Sequence, residues 1–338
     1  MKKRNMKIMG VGRYFPNRIV TAEEMDELLG VKSGWVAKKS GVLTRYFAES
    51  ETITQMGALA AKEALEDAGL TLHDIDCIVS ASGTMEQAIP CTAALLYREL
   101  GAQQHRGIPA FDINSTCLSF VTALDQVSYL IELGRYRHVL IVSSEIASVG
   151  LNWKQKESAS LFGDGAAAVV VGPTSQEDAS CILASRMETY PEGAHLTEIR
   201  GGGSKYHPRK YEGEVDWNDF LFDMDGEAVF RLSLRYLPSF LEKLFSSVDA
   251  QPDFHMDQLR WVVPHQASKL AMKIMQRRLK IPEDRMLMLV EKYGNNIAAS
   301  IPIGLYEIIR NKQLQRGDTC LLLGTSAGLS LGGMVLVY

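Results

Sequence analysis

Short apolar runs alternate with helical periodicity along this chain. Apolar runs rich in β-branched residues predict buried strands at 75–81, 108–113, 138–144, 166–171, 259–263, 319–323 and 334–337. Between them, apolar side chains recur with the 3.6-residue period of a helix at 54–68, 118–133 and 268–279. Strands that alternate with helices are typical of parallel sheets covered by helices, so the pattern predicts an α/β fold.

The same pattern divides the chain near its middle. The chain has 338 residues, which exceeds the common length of one domain, and 172–179 is polar and rich in turn-forming residues. We therefore predict an N-terminal half over 1–173 and a C-terminal half over 174–338. A Gly-rich polar stretch at 200–216 is predicted to be a loop or lid, because helical pattern resumes on both sides. The halves show no strict sequence repeat, although each has a buried strand that leads into a helix with a reactive residue at the joint.

Composition and charge exclude several classes of protein. Lys and Arg total 36 against 40 Asp and Glu, and this net charge of -4 argues against nucleic-acid binding. No apolar run reaches the roughly 18 residues of a membrane span, and the basic start is too short for a signal peptide. The 5 cysteines are widely spaced without a C-x-x-C pair, so neither a disulfide framework nor a metal site is expected. We predict a cytoplasmic protein.

The first joint between strand and helix carries Cys117. A helix that begins around Cys117 would present its free N–H groups and the positive end of its dipole to the thiol, which favours the thiolate. Thiolate is the nucleophile that acyl transfer through a thioester needs. Position alone leaves open that Cys117 is an inert buried side chain. Cys77 and Cys320 are expected to be inert and buried, because they lie within apolar strands.

Three later segments carry further candidate chemistry. His265 leaves an apolar strand just before a helix, where an imidazole can point into a cleft, although a core histidine is the simpler interpretation of a lone histidine. Asn295 stands in a Gly-Asn-Asn turn. Gly324 and Gly328 allow backbone N–H groups to face a ligand, as an oxyanion hole requires. This segment also fits the G-x-S-x-G motif of serine hydrolases, but no histidine follows Ser326, so that interpretation fails on chain order.

Taken together, these segments resemble β-ketoacyl-acyl-carrier-protein synthase III, a member of the thiolase superfamily. The resemblance is carried by Cys117, by His-Gln-Ala at 265–267 and by the segment 294–300, and it extends to 10–16, 35–41 and 161–166. It implies a duplicated, five-layered α-β-α-β-α thiolase-like fold and a homodimer. It also implies catalytic roles for Cys117, His265 and Asn295, with an oxyanion held by the backbone N–H groups of Cys117 and Ala327.

The resemblance implies an acyltransferase that performs a decarboxylating Claisen condensation. An acyl-CoA primer would load Cys117, and a malonyl thioester, carried on coenzyme A or on acyl carrier protein, would lose carbon dioxide. His265 and Asn295 would hold the resulting enolate. No cofactor beyond these substrates is implied. Non-decarboxylating enzymes that make long β-keto acids or 3-hydroxy-3-methylglutaryl-CoA, an acyl-transfer paralogue of secondary metabolism and a non-catalytic acyl-binding scaffold stay open.

Further residues are assigned by the resemblance alone. Trp35, Lys39 and Lys156 match positions that bind coenzyme A. Ile89 and Glu86 match the region of the acyl pocket, where Ile89 would reach across the dimer to the partner's pocket. Two departures stand beside the His-Gln-Ala motif, because Ser268 replaces the usual asparagine and Leu270 replaces a basic residue.

Overall fold

The computed structural model describes residues 2–101, 106–211, 213–248 and 254–338. Its strands are β1 (Met6–Tyr14), β2 (Arg18–Thr21), β3 (Thr44–Phe47), β4 (Cys77–Ser80), β5 (Ala110–Asp112), β6 (Val139–Glu145), β7 (Gly165–Pro173), β8 (Cys181–Thr189), β9 (Thr197–Glu198), β10 (Asp223–Met224), β11 (Trp261–Pro264), β12 (Thr319–Ser326) and β13 (Ser330–Val337). Its α-helices are α1 (Ala22–Leu28), α2 (Trp35–Lys39), α3 (Ile53–Ala68), α4 (Thr92–Glu99), α5 (Ser119–Glu132), α6 (Lys156–Ala159), α7 (Gly226–Phe245), α8 (Lys269–Arg278), α9 (Val290–Tyr293) and α10 (Ser300–Arg310). Every strand and helix that the sequence predicted is present, with ends shifted by a few residues.

The apolar pattern did not predict β1 and β8, each of which lies at one edge of a main sheet. Polar residues interrupt both strands, and β1 contains two glycines. Those glycines let α3 lie directly on β1, because a Cβ at Gly10 would come within 2.3 Å of the Ala64 carbonyl oxygen. A Cβ at Gly12 would come within 2.1 Å of the Ala60 carbonyl oxygen. Close helix packing, rather than strand propensity, explains this part of the sequence.

Four strands of each main sheet have the same topology, and β5 extends the first sheet by one strand. The first has the strand order β1-β7-β6-β4-β5, and the second has the order β8-β13-β12-β11. In each, the first two strand pairs are antiparallel and the third is parallel. The sequence places α3, α4 and α5 among the strands of the first half as it places α7, α8 and α10 among those of the second. The fold is therefore duplicated, with β4 equivalent to β11 and β6 equivalent to β12.

Side chains on the two faces of each sheet separate the molecule into five layers. In β4, Ile78 faces the layer of α3 and α4, whereas its neighbour Val79 faces the centre. In β12, Leu322 faces the centre, whereas Leu321 faces the layer of α7 and α8. The central layer between the sheets contains α5 and α10. This is the α-β-α-β-α arrangement of the thiolase fold, and the predicted fold class is confirmed.

The connection between the sheets falls at the predicted boundary. The first main sheet ends at Pro173 and the second begins at Cys181, while the division into separate domains stays a prediction. The 200–216 stretch is held at both ends, because β9 pairs with β10, and Arg200 forms an ion pair with Asp219 at 2.8 Å. Among the residues described, no helix is long and apolar enough to cross a membrane.

Candidate active site

A wide cleft lies where the helices of the central layer begin. Its volume is about 2340 Å³, and its walls include Cys117, His265 and Asn295. Cys117 precedes α5, His265 follows β11 and Asn295 precedes α10. The duplicated topology thus brings together three residues that are far apart in the sequence, as the resemblance implied.

Cys117 lies in a tight turn between β5 and α5. Thr116, directly before it, has a φ of 50°, a left-handed conformation that is unfavourable for a β-branched residue. Two hydrogen bonds hold the turn: the N–H of Thr116 donates to Oδ1 of Asn114 at 2.9 Å, and the N–H of Ser115 donates to Oγ of Ser119 at 2.9 Å. The position of the cysteine is therefore fixed by its neighbours on both sides.

The environment of Cys117 differs from the sequence expectation. α5 begins at Ser119, so the thiol precedes the helix by two residues instead of standing at its first turn. Burial, and secondly the charge of Glu145, raise the pKa of Cys117 to about 12. This environment does not favour the thiolate in the free protein, and activation of Cys117 stays a prediction. Cys77 is buried as expected, and burial raises its pKa to about 11.

The turn that holds Asn295 repeats the geometry of the cysteine turn. Ile297 also has a positive φ, of 47°, and its N–H donates to Oδ1 of Asn295 at 2.9 Å. The N–H of Asn296 donates to Oγ of Ser300 at 3.1 Å. Because Oδ1 of Asn295 accepts this bond, Nδ2 is the atom of the side chain that can donate to a ligand in the cleft.

His265 is buried and neutral. Burial lowers the pKa of His265 to about 4, so the imidazole carries no charge near neutral pH. Its Nδ1 is buried and has no hydrogen-bond partner among the described residues. Gly324 packs closely against the start of this side chain, because a Cβ added at Gly324 would lie 3.0 Å from Cβ of His265. A neutral imidazole has one N–H with which it can donate to a substrate oxygen.

The segment 324–328 forms the end of β12 and the turn into β13. Gly324 contacts both His265 and Leu118, whose Cδ2 would lie 3.1 Å from an added Cβ. Ala327 lies in the turn and contributes to the same cleft walls as Cys117. An oxyanion hole made of the backbone N–H groups of Cys117 and Ala327 stays a prediction.

Glu145, the last residue of β6, was not among the predicted site residues. Its buried carboxylate accepts hydrogen bonds from the N–H groups of Gly83 at 2.6 Å and Thr84 at 2.9 Å, and from Oγ1 of Thr84 at 2.5 Å. The N–H of Ala298 also donates to it. Burial raises the pKa of Glu145 to about 7. The sequence signal was available, since an acidic residue ends an otherwise uncharged strand that is buried throughout.

Of the three residues expected to bind coenzyme A, two line the cleft and one does not. Lys39 and Lys156 are exposed and belong to the cleft walls. Lys39 forms an ion pair with Glu157 at 3.2 Å. Trp35 begins α2 and packs against an apolar cluster of the first half, away from the cleft walls. That these residues bind coenzyme A stays a prediction.

Of the two residues expected at the acyl pocket, Glu86 lines the cleft and Ile89 does not. Ile89 is 84% exposed and does not belong to the cleft walls of its own chain, and its contribution to a partner's pocket stays a prediction. Glu86 belongs to the walls, but its carboxylate accepts from the N–H and Oγ1 of Thr54, at 2.8 and 2.7 Å. A carboxylate held at the start of α3 stabilises that helix end, and this arrangement does not favour a catalytic acid.

The cleft extends between α7 and α8, where its walls are apolar. These walls include Val229, Phe230, Leu234, Leu237, Met272 and Met275. Leu237 and Met272 also belong to the hydrophobic core of the second half, so the cleft reaches that core. Such a surface suits the aliphatic chain of an acyl group. Among the described residues, no group of His, Cys, Asp and Glu could hold a metal ion.

Comparison with known proteins gives consistent matches over the whole chain. Residues 111–191 match the family described as 3-oxoacyl-[acyl-carrier-protein] synthase III, and residues 250–338 match its C-terminal family. A β-ketoacyl-[acyl-carrier-protein] synthase III of Aquifex aeolicus is 33% identical over 332 residues, which cover 98% of this chain and 99% of that protein.

Solved structures show the same likeness. The crystal structure of 3-oxoacyl-[acyl-carrier-protein] synthase III from Aquifex aeolicus has a TM-score of 0.87 at 32% identity, covering 98% of this chain and 100% of that chain. The priming β-ketosynthase from the R1128 polyketide biosynthetic pathway has a TM-score of 0.87 at 28% identity, covering 99% and 97%.

Proposed function

This chain belongs to the 3-oxoacyl-[acyl-carrier-protein] synthase III family, and on that premise we propose that it condenses an acyl-CoA primer with a malonyl thioester through an acyl-enzyme on Cys117. It is an acyltransferase of the thiolase fold. The observation that carries the proposal is the convergence of Cys117, His265 and Asn295 on one apolar-walled cleft. The fold alone would leave the chemistry open, because one fold can host several reactions.

The first half-reaction loads the enzyme. Sγ of Cys117 bonds to the carbonyl carbon of the primer, and the bond from that carbon to the sulfur of coenzyme A breaks. Because the resting thiol is protonated, its proton is transferred during this step and leaves on the thiol of coenzyme A. The backbone N–H groups of Cys117 and Ala327 hold the negative oxygen of the tetrahedral intermediate.

The second half-reaction forms the carbon–carbon bond. The malonyl thioester loses carbon dioxide, and the electron pair passes to an enolate whose oxygen accepts hydrogen bonds from His265 and from Nδ2 of Asn295. Two neutral donors suit this step, since they stabilise the developing charge without protonating the carbanion. The carbanion then attacks the carbonyl carbon of the acyl-enzyme, and the bond from that carbon to Sγ of Cys117 breaks as the β-ketoacyl thioester forms. The released thiolate takes up a proton from water.

The names of the relatives support acyl carrier protein as the carrier of the extender. The proposal includes a homodimer in which Ile89, 84% exposed in its own chain, lies at the acyl pocket of the partner subunit. The apolar walls between α7 and α8 support primers longer than acetyl.

Intact-protein mass spectrometry with a panel of acyl-CoAs tests this proposal. We expect the wild type, and the matched variant Cys91→Ala, to gain one acyl group from the preferred primer. Cys117→Ala is expected to gain none, because the acyl group is carried on the Cys117 sulfur. An adduct that persists in Cys117→Ala would overturn the proposal, and a wild type that binds acyl-CoA without forming an adduct would identify a non-catalytic acyl-binding scaffold instead.

A further inference from the structure

Glu145 is a buried carboxylate that the proposed reaction does not use. Four donors converge on it: the N–H groups of Gly83, Thr84 and Ala298, and Oγ1 of Thr84. Burial of a carboxylate is costly unless its oxygens accept several hydrogen bonds, and here both oxygens are occupied. The donors come from two loops in different halves of the chain, so this side chain joins the halves at the cleft.

Each of these loops touches one side of the catalytic centre. Gly83 packs against both turns, because an added Cβ would lie 2.7 Å from Cγ2 of Ile297 and 3.4 Å from the carbonyl carbon of Thr116. Thr116 precedes Cys117, and Ile297 lies between Asn295 and Ala298. Glu145 is therefore connected to the turn of the nucleophile through Gly83, and to the turn of the asparagine through Ala298.

The duplicated topology adds an independent argument. Glu145 ends β6 and pairs with the first residue of β7, as Ser326 ends β12 and pairs with the first residue of β13. The matching hydrogen bonds of the two turns make Ala298 the counterpart of Cys117. The carboxylate of Glu145 accepts from the N–H of Ala298. This N–H is equivalent to that of Cys117, which would hold the oxyanion. A carboxyl group of the protein itself thus lies at the duplicate of one donor of the proposed oxyanion hole.

We propose that Glu145 is a positioning residue that fixes the Gly83–Thr84 loop and the Asn295–Ala298 turn against each other, and so sets the geometry of both half-reactions. This inference rests on the proposed function. It differs from a general contribution to folding in its prediction that two separate chemical steps change together and that the reactivity of Cys117 depends on the charge at position 145.

The charge of Glu145 gives a readout that a purely structural residue would not change. A negative group close to a thiol disfavours the thiolate, and alkylation requires the thiolate. His265 and Glu86 do not take over this effect of the Glu145 charge on Cys117. His265 is neutral, and the carboxylate of Glu86 accepts hydrogen bonds from Thr54. Removal of the charge should therefore accelerate alkylation of Cys117.

Three variants test the proposal against the wild type: Glu145→Gln, Glu145→Asp and, as matched control, Asp164→Asn. Asp164 is an equally buried carboxylate, which accepts from the N–H of Ala48 at 2.8 Å and from Oγ of Ser148 at 2.6 Å. Acyl loading is followed by intact mass, decarboxylation by release of carbon dioxide from a malonyl thioester, and alkylation by mapping iodoacetamide adducts on Cys117 at pH 8.

We expect Glu145→Gln to lower loading and decarboxylation together by about tenfold or more, the effect of roughly 1.4 kcal/mol of lost positioning. Alkylation of Cys117 should accelerate by about threefold for each unit by which the thiol pKa falls, because the thiolate fraction rises about tenfold while the less basic thiolate is a weaker nucleophile. Glu145→Asp keeps the charge, so it should slow both half-reactions without accelerating alkylation. Asp164→Asn should leave the alkylation rate at the wild-type value.

Two results would overturn the proposal: unchanged half-reactions in folded Glu145→Gln, or equal acceleration of alkylation in Asp164→Asn. If Glu145→Gln does not fold, Thr84→Val removes one donor only and is expected to lower both half-reactions by a smaller, equal factor. Loss of one half-reaction alone in Thr84→Val would count against the proposal. Absence of loading in the wild type would instead refute the proposed function.

Discussion

The turn at Cys117 and the turn at Asn295 have the same backbone construction but place different side chains in the cleft. Each begins with an asparagine whose Oδ1 accepts the N–H two residues later, and each ends with a serine whose Oγ accepts the N–H four residues earlier. The third residue of each turn, Thr116 or Ile297, belongs to the cleft walls, but the first turn adds its fourth residue, Cys117, whereas the second adds its first residue, Asn295. One rigid turn therefore serves both as a support for a nucleophile and as a support for a hydrogen-bond donor.

The ends of the equivalent strands β6 and β12 explain this difference. Glu145 closes the space beside the second turn by accepting from Ala298, which is fully buried. Ser326, at the equivalent position of β12, has a short side chain that donates to the carbonyl oxygen of Ala327 at 3.2 Å. The smaller side chain leaves the space beside Cys117 within the cleft. Glu145 thus fills the space beside the second turn, whereas the equivalent space beside Cys117 is open.

The largest effect that we expect separates the two turns by half-reaction. Asn295→Ala and His265→Ala should lower decarboxylation of the malonyl thioester by about a hundred- to a thousandfold, the usual cost of one lost oxyanion donor. Both variants should load Cys117 at rates much closer to the wild type, because their donors are assigned to the enolate. Rates of acyl-enzyme formation and of carbon dioxide release measure the two steps separately.

Asn114→Ala provides the control for that experiment. Asn114 is the counterpart of Asn295 in the first turn, but it is exposed and does not belong to the cleft walls. Its loss removes the same internal hydrogen bond without removing a donor to the enolate. If Asn114→Ala and Asn295→Ala reduce decarboxylation equally, the role of Asn295 is support of its own turn rather than contact with the substrate.

A second effect concerns the dependence of stability on pH, since His265 and Glu145 contribute with opposite signs. The pKa of His265 is lowered from 6.5 to about 4, so its stabilising contribution is complete above pH 6.5 and is lost as the pH falls toward 4. The pKa of Glu145 is raised from 4.5 to about 7, so its contribution is complete below pH 4.5 and is lost as the pH rises toward 7. Each corresponds to about 3 kcal/mol over its range.

The matched variants His265→Gln and Glu145→Gln should therefore diverge. Between pH 7 and pH 4.5, the free energy of unfolding of His265→Gln should rise relative to the wild type, and that of Glu145→Gln should fall relative to it. Urea unfolding at a series of pH values measures both differences. Differences of the same sign would show that one of the two groups does not titrate as its burial requires.

The sequence predicted the layers better than it predicted the site. Buried strands are visible as apolar runs, so β6 and β7 were found. The resemblance pointed to Cys117, His265 and Asn295, which the fold brings to one cleft and whose catalytic roles stay a prediction. The equivalence of the two turns was not visible, because Asn114–Ser119 and Asn295–Ser300 share only the terminal Asn and Ser that make the hydrogen bonds. The role of Glu145 was not visible either, since its donors come from loops far from it in the sequence.

The smallest effect that we expect concerns the loops that follow the equivalent strands β4 and β11. His265 remains in the cleft of its own chain, whereas Ile89 lies outside it and is proposed to close the acyl pocket of the partner subunit. Ile89→Phe should fill space equal to a few methylenes, each worth about 0.8 kcal/mol of preference for a longer primer. We expect the ratio of loading rates for long and short primers to fall by about tenfold.

A ratio separates this effect from simple damage, because overpacking costs about 1–3 kcal/mol of stability and slows all primers together. Leu133→Phe is the matched control, since Leu133 is 80% exposed on the same half but does not belong to the cleft walls. It should leave the ratio unchanged. An unchanged ratio in a folded, dimeric Ile89→Phe would show that this loop does not set primer length. The apolar walls between α7 and α8, which lie within one chain, would then be the surface that selects the primer.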